Sequence, residues 1–257
     1  MAQEKQPTAF ISEIFSSAQG EGVKIGRRQL FVRLSGCHRS CIYCDTPFQR
    51  TETTAVERVP GSGEFDSVPN PMTAEQLLTL LKELNRAEYA HDDLFITGGE
   101  PLLQADFLEK FLPEARKQLN LPVHLETSGD LVIPFVSVAE HIDHVLMDIK
   151  LPSVTGEPET WEAHQRFMEK IRSDEISATI KLVVSADTAE ADLAESVELI
   201  TATDSCADVV LQPMTAALKT ERVPTAKQVL KWQSEMARSL GRTVLIIPQC
   251  HKLMGLL

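Results

Sequence analysis

The sequence predicts an α/β protein with a mostly parallel sheet, on two observations. Short runs rich in leucine and β-branched residues alternate with longer amphipathic stretches along most of the 257 residues. Such runs are typical of strands buried on both faces, and regular strand–helix alternation is typical of right-handed βαβ units. The chain is long enough to bury a sizeable core, and we expect a single domain over residues 1–257.

The predicted elements follow this alternation in order. Eight strands are expected, at residues 12–15, 30–34, 94–97, 123–127, 145–148, 179–184, 209–212 and 244–247. Five helices are expected, at residues 73–86, 104–118, 159–171, 188–201 and 225–240. Thr73 and Gln76 form the pattern of a capping box at the start of the first helix. Segment 49–71 is rich in Thr, Glu, Gly and Pro, and we expect an irregular insertion there.

The composition limits the class of partner. The formal net charge is −12, from 25 Lys and Arg against 37 Asp and Glu, so the chain repels phosphate backbones at long range. No apolar run is long enough to cross a bilayer, and the first ten residues lack the basic start and apolar stretch of a secretory signal. We therefore expect a cytoplasmic protein that binds neither nucleic acid nor a membrane.

Three of the five cysteines lie within eight residues, in a polar loop after a predicted strand, as Cys37-x3-Cys41-x2-Cys44. An odd cysteine count with such crowding favours a metal or catalytic role in a reducing compartment over disulfides. Iron–sulfur clusters usually take four cysteine ligands, so three thiolates would leave one iron open. A zinc site is the alternative, but zinc takes four ligands and no closing Cys or His pair follows.

Four unusual polar segments follow predicted strands. They lie at residues 97–101, 126–129, 148–150 and 212–215. Because the carboxyl ends of parallel strands meet at one edge of a sheet, we expect these segments to converge on a ligand.

The cysteine spacing resembles the signature of the radical S-adenosylmethionine (SAM) superfamily, and Tyr43 matches the aromatic residue that commonly precedes the third cysteine. The resemblance implies an incomplete (βα) barrel of the radical SAM type. It also implies a [4Fe–4S] cluster on the three cysteines, with SAM bound to the open iron. The residues implied to contact SAM are Tyr43, Asp45, Gly98, Gly99, Glu100, Ser128, Asp148, Ile149, Lys150, Gln212, Pro213, Met214 and Thr215.

Further features resemble the 7-carboxy-7-deazaguanine synthase family within that superfamily. They are the motif EIFSSAQGEG at residues 13–22, an Arg four residues before Cys37, Thr46 after Cys-Asp, Gln104 after TGGEPLL, and the ending PQCHKLMGLL. The resemblance implies conversion of 6-carboxy-5,6,7,8-tetrahydropterin into 7-carboxy-7-deazaguanine with loss of ammonia, in queuosine-type deazapurine biosynthesis. The residues implied to bind the pterin are Ala18, Gln19, Gly20, Glu21, Arg33, Thr97, His251 and Leu257, and Thr46 is implied to bind Mg²⁺.

The residue types suit that substrate. A pterin edge needs paired donors and acceptors, which Gln19 and Glu21 offer, and its carboxylate suits the guanidinium of Arg33. The resemblance also implies a homodimer and an electron donor such as flavodoxin or ferredoxin. Two alternatives stay open: a glycyl-radical enzyme activase, whose partner would be a large protein, and a metal-bound interaction module without catalysis.

Overall fold

The computed structural model describes residues 6–215 and 222–256. Twelve strands are described: β1 (Thr8–Ala9), β2 (Ile11–Ala18), β3 (Arg28–Leu34), β4 (Thr53–Glu57), β5 (Phe65–Pro69), β6 (Met72–Thr73), β7 (Asp93–Gly98), β8 (Val123–Thr127), β9 (His144–Asp148), β10 (Ser177–Val184), β11 (Asp208–Pro213) and β12 (Val244–Ile246). Eight α-helices accompany them: α1 (Ala74–Leu84), α2 (Ala105–Leu119), α3 (Val132–Val138), α4 (Pro152–Thr155), α5 (Trp161–Ser173), α6 (Glu190–Ala202), α7 (Ala226–Leu240) and α8 (Cys250–Met254).

Ten of the strands form one sheet, in the order β12-β11-β10-β9-β8-β7-β3-β2-β4-β5. Every pair from β12 to β3 is parallel, β2 is antiparallel to β3, and β4 and β5 form an antiparallel hairpin. The two ends of this order do not pair among the described residues, so the sheet stays open. The prediction of an incomplete (βα) barrel with mostly parallel strands is confirmed.

Most predicted elements form close to the expected positions. The capping box of α1 is present, because the backbone N–H of Gln76 donates to Thr73 Oγ1 and the backbone N–H of Thr73 donates to Gln76 Oε1. The sequence reasoning did not predict β1, β6 and the short helices α3, α4 and α8. In the described part of the chain, no helix is both long and apolar enough to span a bilayer.

The expectation of an irregular segment at residues 49–71 is wrong. Strands β4 and β5 form a hairpin there, in register from Thr53 opposite Pro69 to Glu57 opposite Phe65. One edge of the hairpin extends the main sheet, because β4 pairs in parallel with β2. Glu57 fixes this join, since its buried carboxylate accepts a 2.9 Å hydrogen bond from the backbone N–H of Ser16. The Gly and Pro residues lie mainly in the turn and at the end of the hairpin, where neither has to donate to a strand ladder.

The two faces of the sheet differ. Successive side chains of a strand point to opposite faces, and in β7 the residues Leu94 and Ile96 join the large core beneath the helices. Phe95 and Thr97 point the other way and line a cavity. The helices therefore cover one face, and the inner face is left for the functional site.

Candidate functional site

The cavity has a volume of about 480 Å³ and lies on the inner face, toward the carboxyl ends of the parallel strands. All four polar strand-end segments contribute to its wall, as the sequence predicts. So do the loop that carries the three cysteines and the chain end. The predicted site residues that line it are Ala18, Gln19, Gly20, Glu21, Arg33, Cys37, Cys41, Tyr43, Cys44, Asp45, Thr46, Thr97, Gly98, Gly99, Ser128, Asp148, Lys150, Gln212, Met214, Thr215 and His251.

Three predicted residues do not reach the cavity wall. Ile149 is fully buried in the core beneath the helices, Pro213 ends β11 without facing the cavity, and Glu100 is buried behind the strand ends. Leu257 lies outside the described residues.

The cysteine loop, residues 35–52, follows β3. Cys37, Cys41 and Cys44 are half-buried, and all three face the cavity, whereas Cys206 and Cys250 do not line it. Burial raises the pKa of the Cys37 thiol, and it raises the pKa of Cys41 to about 11 although Lys150 opposes the change. Coordination to a metal cluster would instead lower the pKa values of these thiols, because a metal-bound thiol is deprotonated. No three Cys, His, Asp or Glu side chains in the described ranges are placed to chelate one metal ion.

The donor set fits an iron–sulfur cluster with one open position. Three thiols belong to one wall of the cavity, and no fourth described cysteine lines it. The remaining iron would face the cavity, where a second ligand can bind.

Gly98 and Gly99 bring the end of β7 against the cysteine loop. A Cβ on Gly98, whose φ is +149°, would lie 2.1 Å from the carbonyl oxygen of Leu34. A Cβ on Gly99 would lie 2.3 Å from the carbonyl oxygen of Gly36 and 2.9 Å from the Cβ of Cys37. The resemblance implies that both glycines contact SAM. The structure adds that they allow two backbone segments of the protein to touch.

Glu100 differs from the expectation that it contacts SAM. Its carboxylate is fully buried and accepts hydrogen bonds of 2.8 Å from the hydroxyl of Thr127 and from the backbone N–H of Ser128. The backbone N–H of Leu102 donates a further one at 3.1 Å. Glu100 thus ties the end of β7 to the end of β8, and Ser128, which does line the cavity, is held by it.

A buried arginine, Arg39, anchors the cysteine loop. Its guanidinium is only 7% exposed and donates to Asp130 at 2.7 and 3.0 Å, to Glu157 at 3.1 Å and to Thr160 at 2.8 Å. Asp130 follows β8, and Glu157 follows α4. The same Glu157 accepts a hydrogen bond from the backbone N–H of Ser40. The loop is therefore held in place from two neighbouring segments.

The wall beyond the cysteines carries two buried acceptors without a partner. Asp148 Oδ2 accepts a 2.7 Å bond from Lys150, but among the described residues neither Asp148 Oδ1 nor Gln212 Oε1 has a hydrogen-bond partner. A buried polar atom left unpaired costs about 1–3 kcal/mol, so a ligand that donates to both atoms would be favoured there. Lys150 also donates to the hydroxyl of Tyr43 at 3.3 Å. A nucleoside with ribose hydroxyls and an amino group fits this donor requirement.

The opposite part of the cavity has an aromatic patch, formed by Phe15, Phe31 and Phe95. The register of β2, β3 and β7 places the three residues side by side. Phe15 and Phe31 stack with ring centroids 4.8 Å apart, and Phe95 is tilted against Phe31 at 5.2 Å. Arg33 lies beside the patch, 5.7 Å from the centre of the Phe15 ring, and its Nε donates to Glu13 at 2.9 Å.

Gln19 differs in part from its expected use. Its side chain is 5% exposed, its Nε2 donates to Gln29 at 2.8 Å, and its Oε1 accepts from the backbone N–H of Glu21 at 3.0 Å. Both ends of the amide are thus already bonded within the protein. Glu21, the other half of the expected pair, keeps a carboxylate directed into the cavity.

The chain end, residues 249–256, closes one side of the cavity, and we call it the tail. The backbone N–H of Cys250 donates to the carbonyl of Gly20, and the side chain of Gln249 donates to Glu21, each at 2.9 Å. Lys252 forms an ion pair with Asp45 of the cysteine loop. Burial lowers the pKa of His251, so its imidazole is neutral in the cavity wall.

Several wall residues were not predicted from the sequence. They are Glu13, Phe15, Phe31, Arg39, Phe95, Lys181 and Val183. Most of them sit inside strands, at positions that alternate with core residues, and a period of two along β3, β7 and β10 was the available signal. That signal does not say which face of a sheet buried on both sides will hold a ligand.

Comparison with known proteins gives a consistent set of similarities. The Radical SAM superfamily profile matches residues 31–199. The chain is 38% identical to a 7-carboxy-7-deazaguanine synthase of Geobacter sulfurreducens over 97% of this chain and 98% of that protein. It is 33% identical to a 7-carboxy-7-deazaguanine synthase of Methanopyrus kandleri over 96% of this chain and 94% of that protein.

Solved structures with the same fold include QueE from Escherichia coli, with a TM-score of 0.58 at 20% identity over 93% of both chains. Streptococcus suis SuiB bound to S-adenosylmethionine aligns with a TM-score of 0.56 at 13% identity, over 82% of this chain and 48% of that one. At these identities the likeness concerns the fold alone.

Proposed function

The chain belongs to the radical SAM superfamily and, within it, to the 7-carboxy-7-deazaguanine synthases, and we propose that it converts 6-carboxy-5,6,7,8-tetrahydropterin into 7-carboxy-7-deazaguanine with release of ammonia. The observation that carries this proposal is the composition of the cavity. One wall has three thiols and two unpartnered buried acceptors, and the opposite part has an aromatic patch next to paired charges. A single cavity of about 480 Å³ can therefore hold a nucleoside cofactor and a flat heterocycle together.

Cys37, Cys41 and Cys44 would hold the [4Fe–4S] cluster. When bound, the cluster and SAM would supply the radical chemistry that abstracts hydrogen from the pterin. Asp148 Oδ1 and Gln212 Oε1 would accept hydrogen bonds from SAM, since both are buried acceptors with no partner in the described protein. Gly98, Gly99, Ser128, Lys150, Met214 and Thr215 would complete that part of the wall.

The pterin would lie against the aromatic patch, because a flat conjugated ring gains from offset stacking and loses little conformational entropy there. Arg33 would bind the substrate carboxylate with its two terminal nitrogens, since only its Nε is bonded to Glu13. Glu21 would accept from the N–H groups of the pterin edge, and the neutral imidazole of His251 would contribute one donor or acceptor.

Mg²⁺ would bind beside the substrate carboxylate. The Thr46 hydroxyl lines the cavity and offers one protein oxygen. Mg²⁺ keeps most of its water and commonly takes only one or two protein ligands, with the substrate filling the rest of its octahedron.

The remaining expectations concern partners and location. We propose a homodimer that takes electrons from a flavodoxin or ferredoxin and acts in the cytoplasm on a small molecule, without nucleic acid. These points rest on the family and on the net charge of −12. The glycyl-radical activase alternative is not favoured, because a curated synthase is similar over 97% of this chain.

The test is anaerobic turnover by cluster-loaded protein with SAM, a reductant, Mg²⁺ and 6-carboxytetrahydropterin, followed by mass spectrometry. We expect 7-carboxy-7-deazaguanine and one equivalent of ammonia. Uncoupled cleavage of SAM with no change in the pterin would contradict the proposed substrate while leaving the radical chemistry in place.

A further inference from the structure

Lys181 is a buried lysine on the inner face of the sheet. It lies on β10 between Ile180 and Leu182, which point to the core on the other face. Its side chain is only 4% exposed, and it lines the cavity. An isolated ammonium group in such a place would be strongly destabilised by the loss of water. The groups that surround the Lys181 ammonium therefore determine its role.

Three carboxylates surround the Lys181 ammonium. Its Nζ donates to Glu21 Oε2 at 2.6 Å and to Glu126 Oε1 at 2.7 Å, and Asp148 Oδ2 lies 3.5 Å away. These residues come from the loop after β2, from β8 and from β9, so one side chain joins three separate segments of the wall. Asp148 has a second cation, Lys150, whereas no other ammonium or guanidinium bonds to Glu21 or Glu126 among the described residues.

Both Glu21 and Glu126 keep acceptor capacity toward the cavity. Glu126 Oε2 accepts a 2.9 Å bond from the Thr97 hydroxyl, and Glu21 Oε1 accepts one of 2.9 Å from Gln249. An ionised carboxylate has about four acceptor positions, and each of these carboxylates uses two within the protein. The Glu126 side chain is 27% exposed and that of Glu21 is 13% exposed, so each can still meet a ligand.

The electrostatics agree with this geometry. Burial alone would raise the pKa of Glu21, but the adjacent Lys181 ammonium and the Gln249 amide lower it to about 2. Burial would lower the pKa of Lys181, but Glu126, Glu21 and Asp148 raise it well above the ordinary value.

We propose that Lys181 is a positioning residue for the substrate, which holds Glu21 and Glu126 side by side as hydrogen-bond acceptors for the N–H donors of the pterin. The inference rests on the proposed function. A tetrahydropterin carries ring and exocyclic N–H groups on more than one edge, so two separated carboxylates can meet donors that one carboxylate cannot. A protonated carboxyl would present a donor to those N–H groups and would lose the contact.

The discriminating change is Lys181→Met, which keeps the length and removes the charge. Without the Lys181 ammonium, burial would raise the pKa of Glu21, and this carboxyl would take up a proton. The other titratable or charged groups that face this cluster are Tyr43, Asp148, Lys150 and His251. We expect the KM for the pterin to rise about tenfold or more near pH 6 and to fall again toward pH 9, as the proton is lost.

Two matched variants separate positioning from general damage. Lys181→Arg keeps the charge, so its KM should stay independent of pH from 6 to 9, whatever its absolute value. Lys231→Met removes a lysine that pairs with Glu190 at the surface, and it should match the parent protein in KM at every pH. Binding of the pterin to SAM-loaded protein without reductant, measured by calorimetry, should follow the same pH pattern as KM.

A pH-independent rise of KM in Lys181→Met, or an equal loss of SAM affinity, would overturn the positioning role. If Lys181→Met does not load the cluster, the role is tested by adding Glu21→Gln to Lys181→Arg. Because arginine keeps the positive charge, Glu21→Gln should raise the KM for the pterin by the same factor in the Lys181→Arg protein as in the parent protein. Absence of pterin turnover by the parent protein would instead refute the proposed function, and the two failures are therefore distinguishable.

Discussion

Gly20 is the position at which a single methyl group should disturb substrate binding most selectively. The tail passes directly over it. A Cβ on Gly20 would lie 2.3 Å from His251 Nδ1, 2.5 Å from its Cβ and 2.5 Å from its backbone nitrogen. Rotation of the imidazole could relieve the first contact but not the other two. To reach ordinary contact at 3.4 Å, the tail backbone must move by about 1 Å.

A displacement of that size breaks the bonds that hold the tail. The Cys250 N–H bond to Gly20 and the Gln249 bond to Glu21 are both 2.9 Å long, and neither tolerates a further ångström. At about 1 kcal/mol each, their loss gives about 2 kcal/mol, which corresponds to roughly thirtyfold in affinity. For Gly20→Ala we therefore expect the KM for the pterin to rise about thirtyfold. SAM affinity should be unchanged, because no described bond joins the tail to Asp148 or Gln212, the proposed SAM acceptors.

The assay is steady-state turnover over a range of pterin concentrations, with SAM binding measured on the same cluster-loaded sample. Gly26→Ala is the control, since nothing lies within 4 Å of its added Cβ. Its φ of +83° means that this control loses about 1 kcal/mol or more of stability, but it should not change KM. An unchanged pterin KM in Gly20→Ala would refute the idea that the tail contacts define the substrate site.

Three other predictions follow from the site. Replacing Cys37, Cys41 or Cys44 by Ala should abolish cluster-dependent SAM cleavage. The controls Cys206→Ala and Cys250→Ala should retain the absorbance of the cluster. Loss of the cluster in either control would show that the ligand assignment is wrong. Thr46→Ala should shift the Mg²⁺ activation curve to higher concentration by about tenfold while leaving iron content intact, and an identical curve would remove Thr46 from the metal site. Burial lowers the pKa of His144 to about 3, where it lies between Ser177 and Thr179. Because the unfolded chain then binds a proton below about pH 6.5 that the folded chain does not, His144 alone should lower the free energy of unfolding by about 2 kcal/mol between pH 6.5 and 5. His144→Gln should lose that part of the pH dependence in urea titrations.

The sequence alone predicts the strands whose apolar side chains are buried on both faces of the sheet. All eight predicted strands are present, because a continuous apolar run such as 209–211 is stable when it is buried on both faces of a parallel sheet. The hairpin β4–β5 was missed since only Thr54, Val56 and Glu57 of its ten strand residues are buried. Helix α3 was missed because Val132–Val138 is short, rich in β-branched residues and carries a proline.

The residues of the candidate site likewise fall into those that the sequence predicts and those that it does not. Cysteine spacing and glycine pairs are unusual enough to stand out in one sequence, and those residues do converge. Lys181 looks like an ordinary strand residue, and only the pairing of β8, β9 and β10 brings it next to Glu126 of the predicted segment 126–129. Glu100 is the reverse case. It belongs to a recognisable motif, but its carboxylate accepts hydrogen bonds from Thr127 and Ser128 and does not face the cavity.

The central claim is that one cavity carries both the radical chemistry and the pterin. It is tested most directly by anaerobic turnover of pterin deuterated at C6, with less SAM than substrate. The account predicts more 7-carboxy-7-deazaguanine than the SAM supplied, together with deuterium in the SAM recovered at the end. Product limited to the amount of SAM, or recovered SAM without deuterium while the pterin is consumed, would contradict it.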